Sequence, residues 1–259
     1  MNASPEAEAA EIKISFAGAE AAAALGALGL DRSDGRRRSI HFWDRPQRAA
    51  AVGAVTLPLL DRGVILRLRR DRGDADRGSR PEADMTVKLR PCPALPAPWR
   101  KDREGEDWEF TVEEDRTGPD FTPVLAAALR AERDAEAARD AERSGSLDGM
   151  LMDRHRELLA AVGLTGEGLG GLRALGPVNA VKWKQDLEGL PRAVAIEEWT
   201  TTGQDLRFLE VSVRADVPDA AEAGRLLVDA LRDRGIAPPR TGGTKTRAVM
   251  TALARDLVP

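Results

Sequence analysis

The 259-residue chain contains one cysteine (Cys92), two histidines (His41 and His155) and no tyrosine. A lone cysteine excludes an intramolecular disulfide and leaves no thiol cluster to hold a metal. Neither histidine has a partner at ligand or triad spacing, which argues against a histidine metal centre. With aromatics at only 4% of residues, recognition by ring stacking on bases is not expected. No apolar run approaches the roughly 20 residues that cross a bilayer. The acidic, alanine-rich start MNASPEAEAAE lacks the basic and apolar regions of a signal peptide. Together these absences predict a cytoplasmic protein with no membrane partner. Basic excess is missing too: 39 Lys and Arg stand against 43 Asp and Glu, net charge −4, so duplex nucleic acid is not an expected partner. With so many charges of both signs, their placement carries more information than their sum.

The N-terminal half reads as short strands between turn-rich connections. Strands are expected over Glu11–Phe16, Ser39–Trp43, Val64–Arg70, Met85–Arg90 and Trp108–Glu113, with a short helix over Ala19–Leu28. Arg70–Asp84 reads as a charged, glycine-punctuated hairpin loop, and the proline-rich Pro91–Pro98 must leave the sheet. The middle, 119–163, reads as helical, with one helix over Pro123–Arg143 and another over Leu147–Val162. Strands resume at Ala180–Lys184, Ala193–Trp199 and Arg207–Val213, followed by helices over Ala220–Asp233 and Lys245–Leu257. The whole chain, 1–259, reads as one domain with two strand-rich halves.

Alternate side chains of a strand point to opposite faces. Arg67 and Arg69 oppose Leu66 and Leu68; Lys88 and Arg90 oppose Val87 and Leu89; Lys182 and Lys184 oppose Val181 and Trp183. Glu109, Thr111 and Glu113 oppose Phe110 and Val112, Glu210 and Ser212 oppose Leu209, Val211 and Val213, and Glu11, Lys13 and Ser15 oppose Ile12, Ile14 and Phe16. Six strands therefore have one apolar face and one charged face. An open antiparallel sheet with its charged side in water is one reading. The other is an α+β fold in which an antiparallel β-barrel closes into a tunnel, its charged faces lining the interior and its helices packed outside. Full charges of both signs at in-strand positions, with few Thr, Ser or Gln, favour the tunnel. Such a lumen would repel itself when empty, and a phosphate-rich anion would relieve it, because Arg forks and Lys point charges match phosphate oxygens. Clustered carboxylates suit Mg2+ or Mn2+, so both sets in one cavity point to metal-assisted phosphoryl chemistry.

Other signals reduce to structure. Gly166–Gly171 matches G-x-G-x-x-G, but it follows a helix instead of a strand and reads as a linker. Gly242-Gly243-Thr244-Lys245-Thr246 lacks the spacing of a phosphate-binding P-loop. His155 lies near the apolar face of its helix and reads as a packing residue. Trp43, Trp183 and Trp199 are expected to cover the outside of the barrel, and Arg36–Arg38 to form a solvated turn.

In this order the strands resemble the triphosphate tunnel metalloenzyme superfamily, also called CYTH domains, from Glu11 to the C-terminal helix. ILRLRR (Arg67, Arg69) and TVKLR (Lys88) resemble the family's R-x-R strand and the strand ending in T-x-K. WEFTVEED (Glu109, Glu113) fits its acidic strand, and AVKWK (Lys182, Lys184) its later basic strand. AIEE (Glu197) and FLEVSV (Glu210) resemble its late acidic strands, GGTKTRAVM (Lys245) its final Ser/Thr–Lys segment, and SIHFWD its Y-F-D strand. The chain departs at the opening Glu-x-Glu-x-Lys, which here is Ala9, Glu11 and Lys13, and at Ser212, where a second glutamate is common.

The resemblance implies Mg2+- or Mn2+-dependent hydrolysis of a small triphosphate (tripolyphosphate, thiamine triphosphate or a nucleoside triphosphate), or cyclisation of ATP. A non-catalytic polyphosphate- or nucleotide-binding module is the alternative. It implies catalytic roles for Glu11, Lys13 and Glu113, and phosphate binding by Lys13, Arg67, Arg69, Lys88, Arg90, Lys182, Lys184 and Lys245. Glu11, Glu109, Glu113, Glu197 and Glu210 are the metal-ligand candidates. If the lumen is uncompensated, Arg69→Ala or Lys88→Ala should weaken binding of the anion while thermal stability holds or rises.

Overall fold

Alternation of charged and apolar residues makes strands that bury one face under helices and turn the other inward. The computed structural model describes residues 2–49, 54–72, 82–203, 205–239 and 244–258. Its elements are β1 (Ala9–Ala17), α1 (Gly18–Ala27), β2 (Arg36–Asp44), β3 (Gln47–Arg48), β4 (Val55–Thr56), α2 (Pro58–Asp61), β5 (Val64–Asp71), β6 (Ala83–Leu89), β7 (Arg103–Glu104), β8 (Trp108–Thr117) and β9 (Thr122–Arg133). They continue with α3 (Ala135–Ser144), α4 (Asp153–Ala161), β10 (Arg173–Gln185), β11 (Val194–Thr201), β12 (Arg207–Asp216), α5 (Ala220–Arg232) and α6 (Lys245–Arg255). Most of the expected hairpin loop between β5 and β6 lies outside the described residues.

Nine strands close into a barrel in the order β1-β12-β11-β10-β2-β5-β6-β9-β8, with β8 returning to β1. Eight of these contacts are antiparallel, but the closing β8–β1 seam is parallel, with Ala9 opposite Glu113 and Lys13 opposite Thr117. This corrects the purely antiparallel expectation, and the reason is parity. A ring of nine strands that reverses direction at each step returns to its start pointing the same way, so one seam must be parallel. β3 and β4 form a separate hairpin, and β7 adds a short edge to β8.

The expected helix over Pro123–Arg143 is also corrected. Residues 122–133 are strand β9, paired with β6 on one side and β8 on the other. Alanine favours helix in isolation, but here two ladders outweigh that preference. The outer side of β9 carries Ala127, Leu129 and Ala131, all buried, the first two in the core shared with α3 and α4. Helix begins only after Asp134, whose carboxylate accepts from the backbone N–H groups of Glu136 and Ala137. It ends at Gly145, which adopts φ +73°, a left-handed conformation that favours glycine at a helix C-terminus. The Arg36–Arg38 segment is likewise strand and not a solvated turn: Arg38 is mostly buried and donates to Asp71 across the β2–β5 ladder at 2.8 Å.

The apolar faces form two outer cores. One joins β1, β11 and β12 to α1 and α5; the other joins β5, β6, β8 and β9 to α3 and α4. A third cluster lies at one end of the lumen itself, where Ile40, Phe42, Leu175, Val178 and Trp199 meet Leu57 and Leu60 near α2 and Val249, Met250 and Ala254 of α6. Asp44, fully buried, fixes α2 there by accepting from the backbone N–H groups of Leu59 and Leu60. The tunnel is therefore blocked at this end and charged beyond it. Trp43 and Trp183 face outward as expected, each donating its indole N–H to a backbone carbonyl, of Gly145 and Asp31. Trp199 does not, because its strand position shares a face with Glu197.

His155 of α4 is completely buried and ties that helix to the barrel. Its Nδ1 accepts from the Met152 N–H at 3.1 Å, so Nε2 is the protonated nitrogen, donating to the Met85 carbonyl of β6 at 3.2 Å. A neutral ring satisfies both contacts. Burial, partly opposed by the bonds to Met85 and Leu129, lowers its pKa from 6.5 to about 4. Between those values the unfolded chain binds the proton and the folded one does not, so stability should fall as pH drops from 6.5 to 4, by about 3 kcal/mol in all. Urea midpoints measured across this range should show that slope, and His155→Gln, although less stable throughout, should lose it.

Candidate functional site

Inside the barrel, beyond the apolar plug, lies a cavity of about 1070 Å3. All thirteen charged residues singled out from the sequence line it: Glu11 and Lys13 from β1, Arg67 and Arg69 from β5, Lys88 from β6 with Arg90 just after it, Glu109 and Glu113 from β8, Lys182 and Lys184 from β10, Glu197 from β11, Glu210 from β12 and Lys245 from the start of α6. Twelve Lys and Arg side chains but only six Asp and Glu line this space, so the lumen is formally positive although the chain is negative overall. The two faces of β11 separate Glu197 from its neighbour Glu198. Glu198 is buried on the outside, held by Arg32 and Arg207.

Charges are not spread evenly. On the β1–β8 seam, Glu11, Glu113 and Asp115 bring one oxygen each to within 4.8 Å of one another. Asp115, the most enclosed, accepts from Lys13 at 2.6 Å and Arg90 at 2.9 Å, with Lys88 Nζ at 2.8 Å. Glu113 faces Lys88 at 3.2 Å and Arg214 at 3.0 Å, and Glu11 faces Lys13 at 2.7 Å. Burial alone would raise the Asp115 pKa, but Lys88 and Lys13 outweigh it and hold the carboxyl well below its ordinary range. Burial would likewise lower Lys13, but Glu11 and Asp115 hold it above the usual lysine value. Asp115 therefore stays ionised and Lys13 stays charged. Three converging carboxylate oxygens are the donor set that a hard divalent cation takes, so the residues present fit Mg2+ or Mn2+.

The other carboxylates lie elsewhere. Glu109 is half-exposed at the rim, paired with Arg130 at 3.3 Å. Glu197 and Glu210 stand directly opposite each other on β11 and β12, and Lys245 reaches between them, 2.9 Å from one and 2.8 Å from the other. The Trp199 ring centroid lies 4.2 Å from the same ammonium. Burial acts to raise Glu197, but Lys245, Arg69 and Arg67 bring it down to about 2.

Across the lumen from the triad, cations outnumber anions. Arg69 pairs with Asp84 at 3.1 Å. Arg67 takes no ion pair among the described residues, and its buried Nε has no hydrogen-bond partner. Burial, reinforced by Arg69 and only partly offset by Asp84 and Glu197, lowers its pKa to about 10, so it remains charged. Lys182, also without an ion pair among the described residues, is lowered by burial and by Arg38 and Arg69 against the opposing pull of Glu197. The indole N–H of Trp199 is a second buried donor without a partner. Unsatisfied buried donors are costly, and two facing one cavity mark a place shaped for an acceptor-rich ligand. Lys184 is exposed at the mouth.

Sequence reading missed Asp115, Asp84 and Arg130. Asp115 was legible: Glu109, Thr111, Glu113 and Asp115 are one alternating series, cut short by ending the strand at Glu113. Asp84 was hidden because it was assigned to the loop, and Arg130 because its strand was read as helix.

No protein-family model matches the chain, and no curated protein matches it by sequence. Solved structures do. A candidate adenylate cyclase from Bacillus halodurans superposes with a TM-score of 0.53 at 11% identity, covering 93% of this chain and 98% of that one. A candidate adenylyl cyclase from Hippeastrum, HpAC1, which has a dominant triphosphatase activity, superposes with a TM-score of 0.52 at 16% identity, covering 93% of this chain and 95% of that one. At these identities the likeness is one of fold. Closed ring, inward charges and outer helices together give this chain the triphosphate-tunnel, CYTH-like fold that its strand motifs resemble.

Proposed function

We propose that the protein is a divalent-metal-dependent hydrolase of a small triphosphate, acting inside the tunnel. The observation that carries this reading is the positive wall, where Arg67 and Lys182 take no ion pair among the described residues, facing the carboxylate triad across one enclosed cavity. A compact polyanion satisfies the wall, and Arg67, Arg69 and Lys182 are the groups placed to bind it. Lys13, Lys88 and Arg90 hold Asp115 and line the same cavity, close enough to share their N–H groups with phosphate oxygens once these arrive. Glu11, Glu113 and Asp115 would hold the metal. A divalent ion there would supply positive charge to the phosphoryl oxygens and lower the pKa of a bound water. Glu11 is the most exposed of the three, 24% against 9% and 2%, and has the room to take a proton from attacking water.

The lumen offers little to a nucleobase. Phe42 sits in the apolar plug, and the Trp199 ring already carries the Lys245 ammonium. This favours tripolyphosphate over ATP as substrate, in line with the triphosphatase activity of the Hippeastrum protein and against a cyclase role. A second reading, binding without turnover, draws on Ala9 and Ser212, where the resemblance would place two further carboxylates.

Four outcomes follow. Purified protein should release phosphate from tripolyphosphate with Mg2+ or Mn2+ and stop when EDTA is added; binding without turnover under both conditions would leave only the module. Asp115→Asn should lower kcat by on the order of 100-fold, because it loosens the triad and the cations anchored on it. The stability expectation for Arg69 and Lys88 moves to Arg67, because the first two are paired with carboxylates. Arg67→Ala should weaken tripolyphosphate binding by about 2 kcal/mol or more in calorimetry while the ligand-free melting temperature holds or rises. Lys88→Ala should lower that temperature, since it removes one cation from both Glu113 and Asp115.

A further inference from the structure

The Glu197–Glu210 pair poses an electrostatic problem that the chain solves by itself. The two residues are directly opposed on adjacent antiparallel strands, a position where like charges repel at close range. Both line the cavity, and such a pair would ordinarily recruit a cation from solution. Here the cation is supplied covalently. Lys245 is the first residue of α6 and only 7% exposed, and its ammonium lies 2.9 Å from Glu197 Oε2 and 2.8 Å from Glu210 Oε1. It donates to Glu197 and lies over the ring of Trp199, an arrangement that attracts a cation from a third side. α6 itself packs into the apolar plug through Val249, Met250 and Ala254, so the lysine is held in place by the closure of the barrel.

We propose that Lys245 is a tethered counter-cation that fills the position a second divalent ion would take, so that the tunnel works with one metal ion, at the Glu11–Glu113–Asp115 triad. This deepens the preceding reading and rests on it only for the triad. The two carboxylate groups differ in a way that supports the division. The triad brings three carboxylate oxygens within 4.8 Å of one another on the β1–β8 seam. Glu197 and Glu210 offer only two carboxylates, and a metal there would have to expel a buried ammonium from its two carboxylates and its ring.

The test counts ions without reference to turnover. Mn2+ is titrated into the full-length protein, and free Mn2+ is read from its electron paramagnetic resonance signal. Lys245→Met, which keeps the length of the side chain but not the charge, should bind one more Mn2+ per chain than the wild type, and Lys245→Met with Glu197→Gln should lose that extra ion. No gain in Lys245→Met that is folded by circular dichroism overturns the proposal. If that variant does not fold, Glu197→Gln alone decides: an unchanged Mn2+ count supports the proposal, and loss of one ion shows that Glu197 is a metal ligand and overturns it. The wild-type count speaks separately to the triad. One ion agrees with it, whereas zero contradicts the metal reading while the difference between variants still judges Lys245.

Discussion

Everything in this molecule depends on how positive charge is enclosed. A chain of net charge −4 places twelve basic and six acidic side chains around one cavity, and among the described residues Arg67 and Lys182 there take no ion pair. Enclosing unpaired charge is unfavourable, and the fold tolerates it because two apolar cores on the outside of the barrel supply the stability. The cost of the empty lumen is the source of its affinity: a polyanion gains what the free protein lacks.

The lumen is organised by position around the ring. The parallel seam between β1 and β8, forced by an odd number of strands, brings Glu11 beside Asp115 and Ala9 beside Glu113. The acidic side of the tunnel is therefore built where the sheet closes. The basic side lies on β5 and β10, on either side of β2, and the apolar plug beneath it stops a ligand from passing through. A ligand entering from the open mouth meets Lys184 first and Arg67 and Lys182 deeper in. α6 belongs to both regions, with its apolar residues in the plug and its first residue, Lys245, among the charges.

Much of this was legible because a strand's period of two is simple to read when one face is charged and the other aliphatic. LRLRR, TVKL, VKWK and LEVS each announce both their conformation and their orientation, and the strand-borne lumen residues followed from that parity, whereas Lys245 followed only from the resemblance. What escaped did so where local preference and tertiary context disagree. The alanine-rich β9 has the composition of a helix, and only the two ladders that flank it decide otherwise; the cap at Asp134 and the glycine at 145 marked the true helix, α3, in retrospect. Trp199 was placed outside on the general habit of tryptophan, against the parity that puts it with Glu197. The contact between Lys245 and Glu210 could not be read at all, since it joins residues 35 positions apart through a helix whose docking the sequence does not specify.

The most direct test of the enclosed positive wall is the melting temperature of the ligand-free protein in EDTA against a graded series of anions: chloride, phosphate, pyrophosphate and tripolyphosphate at constant ionic strength. The account predicts stepwise stabilisation that grows with the number of phosphates and is greatly reduced in Arg67→Ala/Lys182→Ala. An equal response to all four anions, or an undiminished response in the double variant, would contradict it.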